Sequence, residues 1–204
     1  MNDSLTEEVR EQRKPNYDIH PLIVNRWSPR SMTGEELSDG ELMPLFEAAR
    51  WAPSSNNAQL WRFVYAKRET KFWDTFVDLL AEGNKVWARQ AAVLVVVTAR
   101  KLFERNDKPA ATYAFDAGAA WENLALEGTR RGLVVHGMQG FDYEKARTAL
   151  HVPDHYDVLA MIAIGKRAPK ESLPTHLQER EQPNDRRPLE EIIVTGRFKK
   201  EEHP

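Results

Sequence analysis

Residues 91–99 read AAVLVVVTA, a continuous apolar run rich in β-branched side chains. A half-buried strand alternates apolar and polar residues, so a run without alternation predicts a strand buried on both faces. The rest of the chain has to be arranged around it. LWRFVYA (60–66), GLVVHGM (132–138) and YDVLAMIAIG (156–165) predict further strands. Ser38 and Glu41 make a capping box ahead of Leu42, Leu45, Phe46 and Ala49, and Pro53 ends that helix. Pro21 sits in the first turn of a short helix, and Phe72, Phe76, Leu79 and Leu80 fit one face of another. Residues 109–132 predict a long helix whose middle, Ala114 to Ala120, is mostly small side chains that let a second helix come close. DYEKARTALHV (142–152) is also helical. Helices and strands alternate, but with gaps too irregular for a regular βαβ series.

The 204 residues suit a single domain, placed at 18–204 behind a loosely held polar segment, 1–17. A formal net charge of -2 gives no reason to expect nucleic acid or an anionic membrane as partner. No apolar run approaches the length of a membrane span, and the cytoplasm is the default compartment. The chain has no cysteine. Disulfides, thiolate nucleophiles and iron–sulfur clusters are therefore excluded, and redox chemistry would need a bound cofactor to carry the electrons. No metal site is expected: Pro153 lies between His151 and His155, which argues against a shared helical face. P-loop, dinucleotide-binding and nucleophile-elbow motifs are missing.

Four short stretches carry the chemistry. RWSPR places Arg26, Ser28 and Arg30 at alternate positions, which share a face in an extended chain. Such a face is either a solvated basic loop or an anion site. NDRRPLEE holds Arg186 and Arg187 in a second basic turn. Between a helix and a strand, RWAPSSNNAQLWRFV presents Ser54, Ser55, Asn56, Asn57 and Gln59, and amides that both donate and accept suit the mixed edge of a heterocycle. A helix-ending turn accounts for one or two of these residues but not the series. GMQGFD offers Gly137 and Gly140, where backbone can turn tightly or approach a ligand. Residues 166–188 are proline- and charge-rich with little to fill a core, and LEEIIV (189–194) is an apolar cluster left without a neighbour.

Taken in order, RWSPR, APSSNNAQLWRF, GMQGFD and RRPLEEIIV resemble the FMN-binding segments of the nitroreductase family, from about Asp18 to the C-terminus. The resemblance implies an α+β fold, a mixed central sheet flanked by helices, in an intertwined homodimer whose C-terminal strands are exchanged. It also implies that Arg26 and Ser28 bind the FMN phosphate with Arg186 and Arg187, that Trp27 is part of the cofactor site, and that Arg30 lies near the flavin pyrimidine edge. Pro53, Ser54, Ser55 and Asn57 would line the flavin, partly from the second subunit, and Gln59 and Asn84 would contact the ribityl and pyrimidine side. Gln139 and the Gly140 N–H would address N5. Arg30 and Gly140 are thus the residues expected to act in the chemistry. The implied activity is hydride transfer from NADH or NADPH through flavin N5 to a nitroaromatic or quinone, in a ping-pong cycle. Flavin fragmentation, reductive dehalogenation and non-catalytic flavin storage remain alternatives. The chain departs from the family at Leu60, where proline is common between glutamine and tryptophan, and at Trp87, where some members carry a basic residue.

Overall fold

The computed structural model describes residues 4–198. Its helices are α1 (Glu7–Gln12), α2 (Pro21–Asn25), α3 (Asp39–Arg50), α4 (Trp73–Leu79), α5 (Glu82–Ala88), α6 (Tyr113–Arg130), α7 (Tyr143–Ala149) and α8 (Thr175–Gln178). Its strands are β1 (Trp61–Lys67), β2 (Val93–Arg100), β3 (Leu133–Met138) and β4 (Tyr156–Lys166). They form one sheet in the order β1-β2-β4-β3.

The apolar run becomes β2, an interior strand whose side chains feed two separate cores. Leu94 and Val96 join a cluster with Phe76, Leu79, Trp87 and Ala146, from α4, α5 and α7. Val93, Val95, Val97 and Ala99 join Leu42, Leu45, Ala117, Ala120 and Leu124, from α3 and α6. A strand with a core on each side leaves little room for polar residues, hence the near-continuous apolar run; its one buried polar side chain, Thr98, donates its hydroxyl to the Arg62 carbonyl at 3.3 Å. β4 is divided in the same way, with Met161 and Ala163 on one side and Ile162 and Ile164 on the other.

Every strand pairing among the described residues is antiparallel. The α+β class is as expected, but the mixed character expected of the sheet is not present among the described residues. LEEIIV forms no strand here: Leu189–Glu191 is a single 3₁₀ turn, and Ile192, Ile193 and Val194 are 60%, 59% and 51% exposed.

Local signals act where the sequence puts them. The Glu41 carboxylate accepts from the Ser38 N–H at 2.8 Å and closes the start of α3. In the long helix α6 the small residues Ala117 and Ala120 are buried against α3 and the sheet, while Ala114, Phe115 and Gly118 stay exposed. Gly128 brings α6 closest to the sheet: a Cβ there would overlap the Val135 side chain. Gly128→Ala is therefore expected to lower stability by about 1–3 kcal/mol, the usual cost of overpacking a filled core. Urea unfolding checks this, and a midpoint equal to that of the unsubstituted protein would refute it.

Two stretches differ from expectation. The segment expected to be loose, 1–17, contains a docked helix: Val9 is buried in α1, and Arg13 is buried just beyond it. Residues 166–188 do contribute to the core, through Leu173 and Leu177. These leucines are too few among prolines and charges to show a period.

Candidate functional site

Arg26, Trp27, Ser28 and Arg30 follow α2 and line one cavity of about 660 Å³, and Arg186 reaches the same cavity from far along the chain. That volume is in the range of small-ligand sites. Arg26 donates from Nη1 to Ser28 Oγ at 3.3 Å, and its Nε lies 3.6 Å from Glu122. Its guanidinium is 6.0 Å from the Trp121 ring centre. The lining carries Arg13, Arg26, Arg30, Arg180 and Arg186 against the carboxylates of Glu179 and Asp185. Burial above all, then the charges of Arg186 and Arg26, pushes the Arg13 guanidinium down to about 10. Burial also lowers Arg26; Glu122 opposes the shift and Arg186 adds to it. Like charges gathered in a partly dehydrated cavity favour an anionic ligand.

Three buried side chains hold the backbone of this segment. Arg13 donates from Nη1 to the carbonyls of Val24 (2.5 Å) and Arg26 (2.7 Å), and from Nε to that of Asn184 (2.9 Å). His136, on β3, places Nδ1 2.8 Å from the Pro29 carbonyl. A carbonyl only accepts, so Nδ1 carries the proton and Nε2 is left as an acceptor. Burial keeps this imidazole neutral by pushing it down to about 4; the Pro29 bond works against that shift and the Arg30 charge with it. The ring packs on Trp87 with centroids 4.5 Å apart. Glu181 accepts from the backbone N–H groups of Arg30 (2.9 Å) and Ser31 (2.9 Å).

A second, apolar cavity of about 340 Å³ lies between α6 and the sheet, lined by Ala114, Ala117, Gly118, Trp121, Gly137, Met138 and Gln139 among others. Gly137 is tightly fitted there: a Cβ would come 3.0 Å from the Trp121 indole, which would have to give by a few tenths of an ångström. Trp121 Nε1 is buried without a hydrogen-bond partner among the described residues. Just past β3, the Gly140 carbonyl accepts from Asn84 Nδ2 at 2.9 Å and from the Ala81 N–H at 3.0 Å. The Gly140 N–H, on the preceding peptide, has no partner among the described residues and is an open donor next to this fixed carbonyl.

The amide-rich run stands elsewhere. Ser55–Asn57 is a 3₁₀ turn in which Asn56, Asn57 and then Gln59 have φ of 54°, 52° and 50°. Asparagine tolerates the left-handed region and glutamine less so; such strain collects at functional positions. The turn is braced internally by Gln59 N–H to Ser54 Oγ (3.1 Å) and Gln59 Nε2 to the Asn57 carbonyl (2.9 Å). Asp116, buried in the first turn of α6, accepts from the Ser55 N–H at 3.0 Å. Within one chain, Pro53, Ser54, Ser55, Asn57 and Gln59 line neither cavity. Arg187 is not brought to the arginine cavity either: its side chain is 82% exposed and 4.0 Å from Glu191.

Sequence reasoning missed Arg13, His136, Asp116 and Glu181. His136 alone left a visible sign, an imidazole in an otherwise apolar strand. Lys166, whose role the sequence left open, pairs with Glu35 at 3.0 Å on the surface. Arg167 pairs with Glu8 and Glu181 and lies over the Trp27 ring at 4.7 Å. Among the described residues no cluster of side chains could hold a metal ion, and no helix is long and apolar enough to cross a membrane.

Comparison with known proteins gives one consistent result. The model of the Nitroreductase family matches residues 23–86 and 71–166. A 15.4 kDa protein of Mycolicibacterium smegmatis is 37% identical over 126 residues, which are 61% of this chain and 82% of that one. The NADH dehydrogenase of Thermus thermophilus is 28% identical over 210 residues, covering 88% of this chain and 97% of its own. Among solved structures, an oxidoreductase containing FMN superposes with a TM-score of 0.88 at 42% identity, over 92% of this chain and 96% of that chain.

Proposed function

This chain belongs to the nitroreductase family, and on that premise we propose that it is an FMN-dependent oxidoreductase taking electrons from NADH or NADPH. The observation that carries the reading is the convergence of Arg26, Ser28, Arg30 and Arg186 on one cavity whose cations outnumber its carboxylates. A phosphate monoester supplies the charge that such a cavity lacks. The open Gly140 N–H and the unpartnered Trp121 Nε1 fit a planar heterocycle with polar edges beside it.

Bound FMN would supply the redox chemistry, a two-electron exchange between the nicotinamide and an electron-poor acceptor such as a nitroaromatic or a quinone in a ping-pong cycle. The protein's part is placement and charge. Arg26, Ser28 and Arg186 would hold the phosphate, with Trp27 and Arg13 beside them. Asn84 fixes the Gly140 carbonyl, and so the position of the residue whose N–H is open. Gln139 lines the apolar cavity next to that donor. Arg30 supplies a permanent cation, which stabilises negative charge developing nearby without any proton transfer.

The reading includes a homodimer. Pro53, Ser54, Ser55, Asn57 and Gln59 lie apart from the arginines in one chain, so a second copy would bring them to the flavin. The exposed Ile192, Ile193 and Val194 would find their cover on that copy.

The test is the visible spectrum of the purified protein, followed by anaerobic addition of NADH and of NADPH. A flavin spectrum bleached by either nicotinamide is expected. A colourless protein that takes up no FMN would refute the reading, and bound FMN that neither nicotinamide reduces would point to flavin storage. Arg30→Ala is expected to slow flavin reduction by about 10²-fold, the scale seen when a single charge-stabilising donor is lost, while the melting temperature stays close to that of the parent. Stopped-flow reduction measures it; an unchanged rate would remove Arg30 from that role.

A further inference from the structure

The buried carboxylate of Glu181 binds the backbone beside the arginine cavity, and the reaction does not use it. Glu181 is 3% exposed. It accepts from the Arg30 N–H at 2.9 and 3.0 Å, from the Ser31 N–H at 2.9 Å and from Ser31 Oγ at 2.9 Å. Arg167 Nη1 lies 2.5 Å from the same carboxylate. The single Ser31 hydroxyl proton is also within reach of the Ala168 carbonyl at 2.8 Å, so Ser31 ties the end of β4 to the same point. Arg167 spans from Glu181 to Glu8 of α1 and covers the Trp27 ring.

These bonds have a direction. Arg30 and Ser31 close the segment whose side chains enter the cavity. Glu181 belongs to the loop that runs on to Arg186. One carboxylate thus joins the two halves of the arginine cluster, accepting from two backbone N–H groups, a hydroxyl and a guanidinium, more donors than the single amide oxygen of a glutamine can accept. An anionic acceptor holds several N–H donors more strongly than a neutral one. Leaving those donors buried and unpaired costs more than the bonds contribute when made.

We propose that Glu181 is a positioning residue for phosphate recognition: it holds the backbone at Arg30 and Ser31 so that Arg26, Ser28 and Arg186 converge on one phosphate. This rests on the reading of the cavity as an FMN phosphate site. Glu181 touches no ligand in this scheme, so its effect must appear as a loss of discrimination for the phosphate rather than as a general loss of flavin affinity.

The test compares FMN with riboflavin, which lacks the phosphate, as ligands of the flavin-free protein, by quenching of flavin fluorescence. The unsubstituted protein is expected to prefer FMN. In Glu181→Gln the affinity for FMN is expected to fall at least tenfold, while that for riboflavin changes less than twofold. Glu181→Asp keeps the charge beside Arg167 but draws the oxygens back from the backbone donors; it is expected to fall between the two, and it replaces Glu181→Gln should that variant melt below the assay temperature. A variant that keeps the full preference for FMN, or loses both ligands equally, overturns the role assigned to Glu181 and leaves the cavity reading intact. An unsubstituted protein that binds both flavins equally overturns the phosphate reading, and this inference with it.

Discussion

Replacing Arg26 and Arg186 together with alanine is expected to weaken FMN binding by about 10²- to 10⁴-fold, at about 1.5–3 kcal/mol for each charge-assisted hydrogen bond removed. Riboflavin binding is expected to stay within about threefold, since it offers no phosphate to those guanidiniums. The flavin-free protein should tolerate the change better than most double substitutions of partly buried residues. Arg26 is desolvated and faces the Arg186 charge, and burial and its like-charged neighbours hold Arg13 down as well. Removing both charges relieves that crowding. The cost is the ion pair of Arg26 with Glu122, and Glu122 is itself already pushed up by burial. Titration of the flavin-free protein with each flavin, alongside its melting curve, measures both effects. Equal losses for FMN and riboflavin would mean that the two arginines shape the cavity without reading the phosphate.

The second large effect is a stability change with pH. His136 is held near 4 in the folded protein, mainly by burial, against an ordinary value of 6.5. Between those values the unfolded chain binds a proton that the folded chain refuses, so stability rises with pH across the window and falls on acidification. The stabilisation is complete above about pH 6.5 and is lost as pH drops through about 4, a change of roughly 3 kcal/mol. The ring faces Arg30 and Glu181 as well as the Pro29 carbonyl, and packs on Trp87. Carboxylates titrate in the same range, so the contribution has to be read by difference. His136→Phe keeps a ring against Trp87 and loses the proton donor, which costs about 1–3 kcal/mol at neutral pH because the Pro29 carbonyl is left unpaired. Between pH 7 and 4 its stability is expected to fall roughly 3 kcal/mol less than that of the parent. Urea unfolding at intervals of pH gives both curves; parallel curves would show that His136 charges freely in the folded state.

These effects centre on residues that differ in how far the sequence announces them. The sheet is readable because β2 and β4 must supply two cores at once, and that leaves a long, mostly apolar signature. Helix α3 is readable from its capping box and spacing. Arg26, Ser28, Arg30 and Arg186 stand out by residue type, and the structure brings them to one cavity. Arg187, of the same type and next in sequence, points elsewhere, because side-chain direction in an irregular loop has no period to read. Arg13 and Glu181 are hidden for a related reason. Each sits in a stretch of ordinary surface composition, and each acts by hydrogen bonds to backbone atoms distant in sequence. Backbone atoms are the same in every residue, so such bonds leave no trace in the letters.

The hydrogen bond from Arg13 to the Asn184 carbonyl has a consequence for the order of events in the cell. Translation delivers Arg13 first, the two cores much later, and Asn184 after all four strands have been made. A nascent chain can thus assemble its sheet while the clasp on the basic pocket still lacks its closing half. The basic pocket is completed only after the sheet that carries it has been made.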